Sequence, residues 1–436
     1  MPYTTAAAMD ADTRDSFERA TYGKVTLRLI PFLFICYVAA YLDRVNVGFA
    51  KLQMLNDLKF SETVYGLGAG IFFIGYFIFE VPSNIVMHRV GAKLWIARIM
   101  ITWGIISGVM SFLTTPTMFY VMRFFLGVAE AGFFPGIILY LTYWYPSYRR
   151  GKIIALFMTA IPISGVVGGP LSGWILQTFP GIGGLAGWQW LFILEAIPSI
   201  LLGIVVIFFL QDRIRHAKWL SEEEKILLET HIEKESREKE DHSVRGVFSS
   251  GRVWLMGLIY FSFVMGLYGI SFWLPSLIRS SGVKDAIDIG LLSAIPYAAA
   301  VVAMILISRS ADRQLERRWH IVVPAVAGAL GLILSAIYSE NTLVAMCALT
   351  LATLGIITTL PLFWSLPTSF LGGTAAAAGI ALINSLGNLA GFVSPYMVGW
   401  IKDLTRSTNM GMYALAAFLV LGALLTLSVP AKLVNK

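Results

Sequence analysis

Twelve apolar stretches, each long enough to cross a hydrocarbon core of ~30 Å, follow one another along this chain with short breaks between them. They run approximately over 25–48, 63–87, 94–113, 117–143, 153–178 and 188–210, then over 253–278, 288–308, 320–338, 342–370, 375–400 and 410–430. Lipid offers no hydrogen-bond partners, so a segment crossing it must satisfy its own backbone; apolar runs of this length do so as helices. Composition agrees, because 57% of the 436 residues are hydrophobic and only 14% are charged. That is too little charge to cover a soluble protein of this size. The expected fold class is therefore an all-α membrane protein, with twelve transmembrane helices in two six-helix pseudo-symmetric bundles.

The two groups of six are separated by residues 211–252, where composition changes sharply. Between Gln211 and Arg245 stand eighteen Asp, Glu, Lys and Arg residues, with Trp219, Leu220, Ile226, Leu227 and Leu228 among them at helical spacing. Ser221 and Glu224 have the spacing of a capping box, which predicts a short solvated helix joining the halves. The expected organisation is a polar tail over 1–24, a first bundle over 25–210, a charged linker over 211–252, a second bundle over 253–430 and a tail over 431–436. The tail 1–24 has no apolar core of its own, so the first span is expected to direct insertion.

Basic residues fix an orientation. One set of connectors holds Arg89, Lys93, Arg149, Arg150, Lys152, the linker, Arg309, Arg313, Arg317 and Arg318; the opposite set holds only Lys51, Lys59, Arg279, Lys284, Lys402 and Arg406. The positive-inside rule places the first set, and both termini, in the cytoplasm of a cell with a plasma (bacterial inner) membrane. The pI near 9.3 thus reflects topology, and no basic stretch interleaved with aromatics points to nucleic acid. Cys36 and Cys347 both lie in apolar spans and read as small buried hydrophobes.

Equivalent spans of the halves share breaks. Span 5 holds Gly165, Gly169-Pro170 and Gly173, while span 11 holds Gly387, Gly391, Pro395 and Gly399. Small residues four apart admit close helix contacts and proline bends a helix, as expected of transporters that rock about a central site.

Ionisable groups at membrane depth are expensive and need a reason. Span 1 carries Tyr37, Tyr41, Asp43 and Arg44; the first two and Arg44 share a face, and Asp43 points ~100° away. Span 4 carries Arg123 and Glu130, seven apart on one face with Gly127 between them. Two readings follow. Asp43–Arg44 and Arg123–Glu130 form satisfied pairs that fix packing, or Arg44 holds a substrate anion while Asp43 and Glu130 carry protons. A guanidinium fork suits a carboxylate. By depth, Arg44, Asp43 and Arg123 are expected at one level, with Glu130 below. All five histidines fall in connectors or at span ends, which leaves carboxylates as the proton carriers. Glu80, close to Arg89 in sequence, reads as structural; Glu195 stays open between the two roles. Spans of the second half hold no comparable charge, and offer Trp273, Tyr297, Trp364, Ser365, Asn384 and Asn388 instead. Asn384 and Asn388 lie one turn apart, for helix–helix bonding or for substrate hydroxyls.

These features together resemble the major facilitator superfamily: the basic connector after spans 2 and 8, Arg123 with Gly127, and Gly169-Pro170. More narrowly, Tyr41-Leu42-Asp43-Arg44, Glu130-Ala131-Gly132-Phe133-Phe134-Pro135-Gly136, Trp188-Gln189-Trp190-Leu191-Phe192-Ile193-Leu194-Glu195 and Ala217-Lys218-Trp219-Leu220 resemble the anion:cation symporter family. Its tartrate-transporter-like and hydroxyphenylacetate–phthalate permease branches look most similar. The resemblance spans about residues 20–430. It implies proton-driven symport of organic anions, with Arg44 on the substrate carboxylate, Asp43 and Glu130 protonated, and Arg123 tuning Glu130. It also implies cavity roles for Tyr41 and Tyr76, and second-half substrate contacts from Trp364, Ser365 and Asn388. His88 departs from the pattern, standing where the superfamily usually has an acid.

The expected function is uptake of a small organic carboxylate, such as tartrate or a sugar acid, together with a proton, by alternating access. An aromatic carboxylate such as hydroxyphenylacetate, phthalate or nicotinate is the alternative substrate. A membrane-embedded enzyme would want a His/Asp/Glu cluster with metal or nucleophile spacing, and none stands out. No cofactor and no metal is expected beyond the proton gradient. A bilayer, the anion and the proton are the expected partners of a chain that works as a monomer.

Overall fold

The computed structural model describes residues 11–238, 249–369 and 373–435, and these are helical nearly throughout. The first half comprises α1 (Ala11–Val45), α2 (Val47–Leu58), α3 (Glu62–Val90), α4 (Ala92–Val109), α5 (Pro116–Glu130), α6 (Phe133–Thr142), α7 (Ser147–Met158), α8 (Ala160–Thr178) and α9 (Gly187–Phe209). A connecting helix, α10 (Glu222–Glu238), leads to the second half. There follow α11 (Gly251–Ser280), α12 (Ala286–Gln314), α13 (Arg318–Ile337), α14 (Thr342–Phe363), α15 (Ser365–Thr368), α16 (Gly373–Thr405), α17 (Asn409–Ser428) and the short α18 (Ala431–Val434). Eleven helical stretches among the described residues are long and apolar enough to span a membrane. The twelfth crossing is α16, whose middle carries the polar amides Asn384 and Asn388.

Several spans are two helices rather than one. The first continues through Asn46 into α2, so it reaches Leu58 and not residue 48. Lys51, Gln53, Asn56 and Asp57 lower the hydropathy of this last part, yet α2 keeps its helix because it packs on α11 of the other half. The helix also begins well before residue 25, within the polar tail; residues 1–10 of that tail lie outside the described residues. The fourth span breaks between α5 and α6, the fifth between α7 and α8, and the tenth between α14 and α15. Part of the linker (239–248), the break at 370–372 and residue 436 also lie outside the described residues.

Large apolar side chains such as Ile35, Ile105, Leu201, Phe208, Val302, Leu306, Val323 and Leu424 are exposed around the bundle. In water so much bare apolar surface would drive association. Here it is the face that meets acyl chains.

The halves meet through the helices whose sequences repeat. Between α8 and α12, Gly169 and Gly290 touch backbone to backbone: a Cβ on Gly169 would lie 2.6 Å from the Gly290 carbonyl oxygen. Between α3 and α16, Pro395 and Gly399 pack on Gly66. These contacts gather at the end of the bundle remote from the termini, the far end below.

The connecting helix opens with the capping box: the Glu224 carboxylate accepts from the Ser221 N–H at 2.7 Å, and the Ser221 hydroxyl accepts from the Glu224 N–H at 3.2 Å. The helix docks on the first half. Lys24 pairs with Glu224 at 2.9 Å, the Tyr22 hydroxyl meets His231 Nδ1 at 3.1 Å, and Trp219 stacks on Trp144. At the connector after α3, the Asp212 carboxylate accepts from the Lys93 N–H at 2.8 Å. An acid from beyond α9 thus meets the N-terminus of α4, on the connector where His88 replaces the acid of the family pattern.

Candidate substrate and coupling site

Arg44 lies fourteen residues before the end of α2 at Leu58, and Glu130 fourteen residues after the start of α5 at Pro116. At ~1.5 Å per residue both sit about 21 Å from the far end. They are therefore level, not stacked one below the other, because the first span runs ten residues past residue 48. The Arg44 guanidinium makes a doubly bonded ion pair with Glu130, through Nε and Nη2 to the same carboxylate oxygen. Its Nη1 donates to the Tyr268 hydroxyl of α11 at 3.2 Å. Rings of Tyr41, Phe72 and Tyr76 surround it at 5.5–5.6 Å, near enough for cation–π attraction. A cation so enclosed is tolerable only because it is paired and bonded on each side.

The two pairs of the packing reading, Asp43–Arg44 and Arg123–Glu130, do not form. Asp43 turns away from Arg44 into the interior of the first half. It accepts from Trp103 Nε1 and the Ser107 hydroxyl, each at 3.0 Å, and from the Ser199 hydroxyl. Arg123 is wholly buried and makes no ion pair among the described residues. It donates instead to the carbonyls of Gly68 and Ala69 at 3.2 Å and to the Arg44 carbonyl at 3.4 Å, tying α5 to α3 and α1. Gly127 serves the same junction rather than clearing room between Arg123 and Glu130. A Cβ there would stand 1.9 Å from the Phe72 carbonyl oxygen, so only glycine lets α5 lie against α3.

Glu80 lies nine residues before Arg89 on α3, half a turn out of phase with it. It faces the second half. Its two oxygens accept from Asn384 Nδ2 and Asn388 Nδ2, each at 3.1 Å. Both amides thus bond across the halves, to an acid that in sequence reads as structural. Tyr41 crosses as well, its hydroxyl 3.1 Å from the Ser271 hydroxyl. Tyr76 is buried beside Arg44. Trp364 packs on Tyr260 with ring centroids 4.9 Å apart, whereas the Ser365 hydroxyl donates to the Leu362 carbonyl of its own chain segment at 2.6 Å.

Sequence reading missed Tyr268, Ser271 and Tyr260. Tyr260, Val264, Tyr268 and Ser271 follow an i, i+4, i+8, i+11 pattern on α11, a face that marks them once α11 is known to line the interface.

A second cluster shuts the far end. Glu62 sits between Lys51 at 2.7 Å and Lys402 at 2.5 Å. Asp403 accepts from the backbone N–H groups of Glu62 and Thr63 at 3.3 and 2.7 Å. The Lys51 ammonium lies 3.5 Å from the Trp273 ring centroid, and the Tyr65 hydroxyl donates to the Phe272 carbonyl at 2.8 Å. Arg279 donates to the Leu52 carbonyl at 2.5 Å, and Gln177 accepts from the Ile287 N–H at 3.1 Å. All but the Lys51 ion pair join one half to the other.

Comparison with known proteins fits this architecture. The family model for the Major Facilitator Superfamily matches residues 33–395. A protein of Pseudomonas putida provisionally named metabolite transport protein NicT is 52% identical over the whole of both chains. A provisionally named tartrate transporter of Agrobacterium vitis is 50% identical over 96% of this chain and 93% of its own. Among solved structures, a partially occluded inward-open xylose transporter XylE from E. coli superposes with a TM-score of 0.74 at 15% identity, covering 93% of this chain and 98% of its own. The chain belongs to the major facilitator superfamily and is a multi-pass membrane transporter.

Proposed function

We propose that this transporter takes up a small organic carboxylate together with a proton, by alternating access about Arg44. The observation that carries the reading is the Arg44 guanidinium, held level with the middle of the bundle by Glu130 of one half and Tyr268 of the other. A substrate carboxylate and the Glu130 carboxylate compete for the same fork. A proton on Glu130 removes its charge and frees Arg44 for the substrate, so anion and proton load together. Asp43, set among three donors away from the anion, holds a second exchangeable proton. Arg123 fixes the backbone on which Arg44 and Glu130 stand. The name of one relative, a tartrate transporter, favours a carboxylate cargo. Tyr41 and Tyr76 wall the anion on one side; Trp364, Asn384, Asn388 and Ser365 belong to the half that closes over it. The basic connectors favour cytoplasmic termini, which makes the shut far end the outer one.

The test is uptake into proteoliposomes of purified protein, with labelled tartrate and nicotinate as probes. An imposed inward proton gradient should drive accumulation of at least one of them. Glu130→Gln should keep exchange of internal for external substrate and lose gradient-driven accumulation. A variant that still concentrates substrate defeats the coupling assignment.

A further inference from the structure

Glu195, on α9, is the buried acid for which neither the anion site nor the far-end lock has a use. It is 3% exposed, and lies eight residues from the start of α9 at Gly187, or ~12 Å from the far end. One of its oxygens accepts from the Ser172 hydroxyl at 2.6 Å. The other, Oε2, is buried with no partner, and so are both amide atoms of Asn46, itself 2% exposed. Residues Asn46 and Glu195 line one small cavity, of ≈ 20 Å³, together with Ser164 and Ser172 of the first half and Ser293 and Tyr297 of the second. That volume suits about one water molecule. A water there would accept from Asn46 Nδ2 and from the protonated Oε2 of Glu195 and donate to Asn46 Oδ1, satisfying groups that otherwise stand bare.

We propose that Glu195, with Asn46 and one bridging water, is a proton-binding site that fills when the far end shuts and empties when it opens. The deduction rests on the charges around it. Asp43 of α1 is the ionisable neighbour, and its charge, when it has one, is of the same sign. Ser172 on α8, Trp103 and Ser107 on α4, Ser271 on α11, and Ser293 and Tyr297 on α12 are uncharged. A carboxylate shut among them, with no cation beside it, is strongly disfavoured against its neutral acid. Part of the wall belongs to the second half, so parting the halves at the far end admits bulk water to Glu195 and lets it ionise. The proton therefore comes from water on the far side, and by linkage acidity on that side favours closure. The inference extends the proton-coupled reading above by an acid that touches neither Arg44 nor the cargo.

The experiment is infrared titration of purified protein in nanodiscs, which needs no transported substrate. Gln177→Cys and Ile287→Cys, cross-linked, hold the far end shut, since these residues already meet across it. In the locked protein the carbonyl stretch of one protonated acid should persist at neutral pH and be missing in the same protein carrying Glu195→Gln. Reducing the cross-link should move the titration of that band to lower pH. Should Glu195→Gln misfold, Ser172→Ala keeps the acid, removes its hydrogen bond and must shift the same band. A locked-state spectrum untouched by either variant, or a band indifferent to the cross-link, overturns the proposal. Loss of gradient-driven uptake in Glu130→Gln is a separate reading, so failure of one does not mimic failure of the other.

Discussion

Among the described residues, every Asp, Glu and Arg buried within the bundle belongs to the first half: Asp43, Arg44, Glu80, Arg123, Glu130 and Glu195. Facing them, the second half supplies hydroxyls, amides and rings: Tyr268, Ser271, Asn384, Asn388, Tyr260 and Trp364. At the far end the balance shifts, since Lys402 and Asp403 of the second half answer Glu62 of the first. One half therefore handles charge, and the other reads whether that charge is satisfied. Neutral partners suit the second task. A tyrosine or amide can release a charged group with far less penalty than an opposite charge could.

Substitutions can break this division at graded points. The largest effect is expected at the far end, the one place where both halves commit charge. Glu62→Gln leaves Lys51 buried without its carboxylate, a loss of roughly 3–5 kcal/mol for a broken buried pair. The shut state should give way, read as increased labelling of a cysteine in place of Ser293, which is buried where the halves meet. Next comes Arg44→Lys, which keeps the charge and discards the fork. Losing charge-assisted bonds worth about 1.5–3 kcal/mol should lower uptake roughly 10- to 100-fold. Lysine uptake rates equal to wild type would mean that charge alone suffices. On the neutral side, Tyr268→Phe removes one bond to Arg44 and should cost about 1 kcal/mol, near fivefold in apparent affinity. A greater loss there than in Arg44→Lys would overturn the assignment of roles to the halves.

The smallest effect concerns the linker helix. Burial holds His231 below the ordinary imidazole value, with Glu18 opposing that shift and Arg149 adding to it. The undocked helix thus binds more protons than the docked one. Docking is complete above the ordinary histidine value of ~6.5 and weakens as pH falls through it. Hydrogen exchange in α10 should rise between about pH 7.5 and pH 5.5 while exchange in α4 stays level; equal rises in both would argue against His231.

Much of the fold was legible because hydropathy and helix phase are local properties. Twelve crossings, the capping box at Ser221 and the glycine-rich repeat all follow from neighbours in sequence. The site was legible in its members and not in its pairings. Phase places Tyr41 and Arg44 on one face of α1, but it does not say which helix that face meets. Arg44 pairs with Glu130 of a span far along the chain, and Glu80 bonds two asparagines three hundred residues away. Span 1 was cut short because Lys51 and its polar neighbours look like an exit from the membrane. They stay helical under the cover of α11, which only the assembled halves provide.

The docking of α10 gives the molecule a natural pointer. Lys24 and Tyr22, its anchors, belong to the first half, as does Trp144, which stacks on Trp219 just ahead of it. α10 is therefore cargo of that half during any swing. A fluorophore on the exposed side of α10 and another at the Arg318 end of α13 would register each stroke as a change in distance, without touching a residue that binds, gates or ionises.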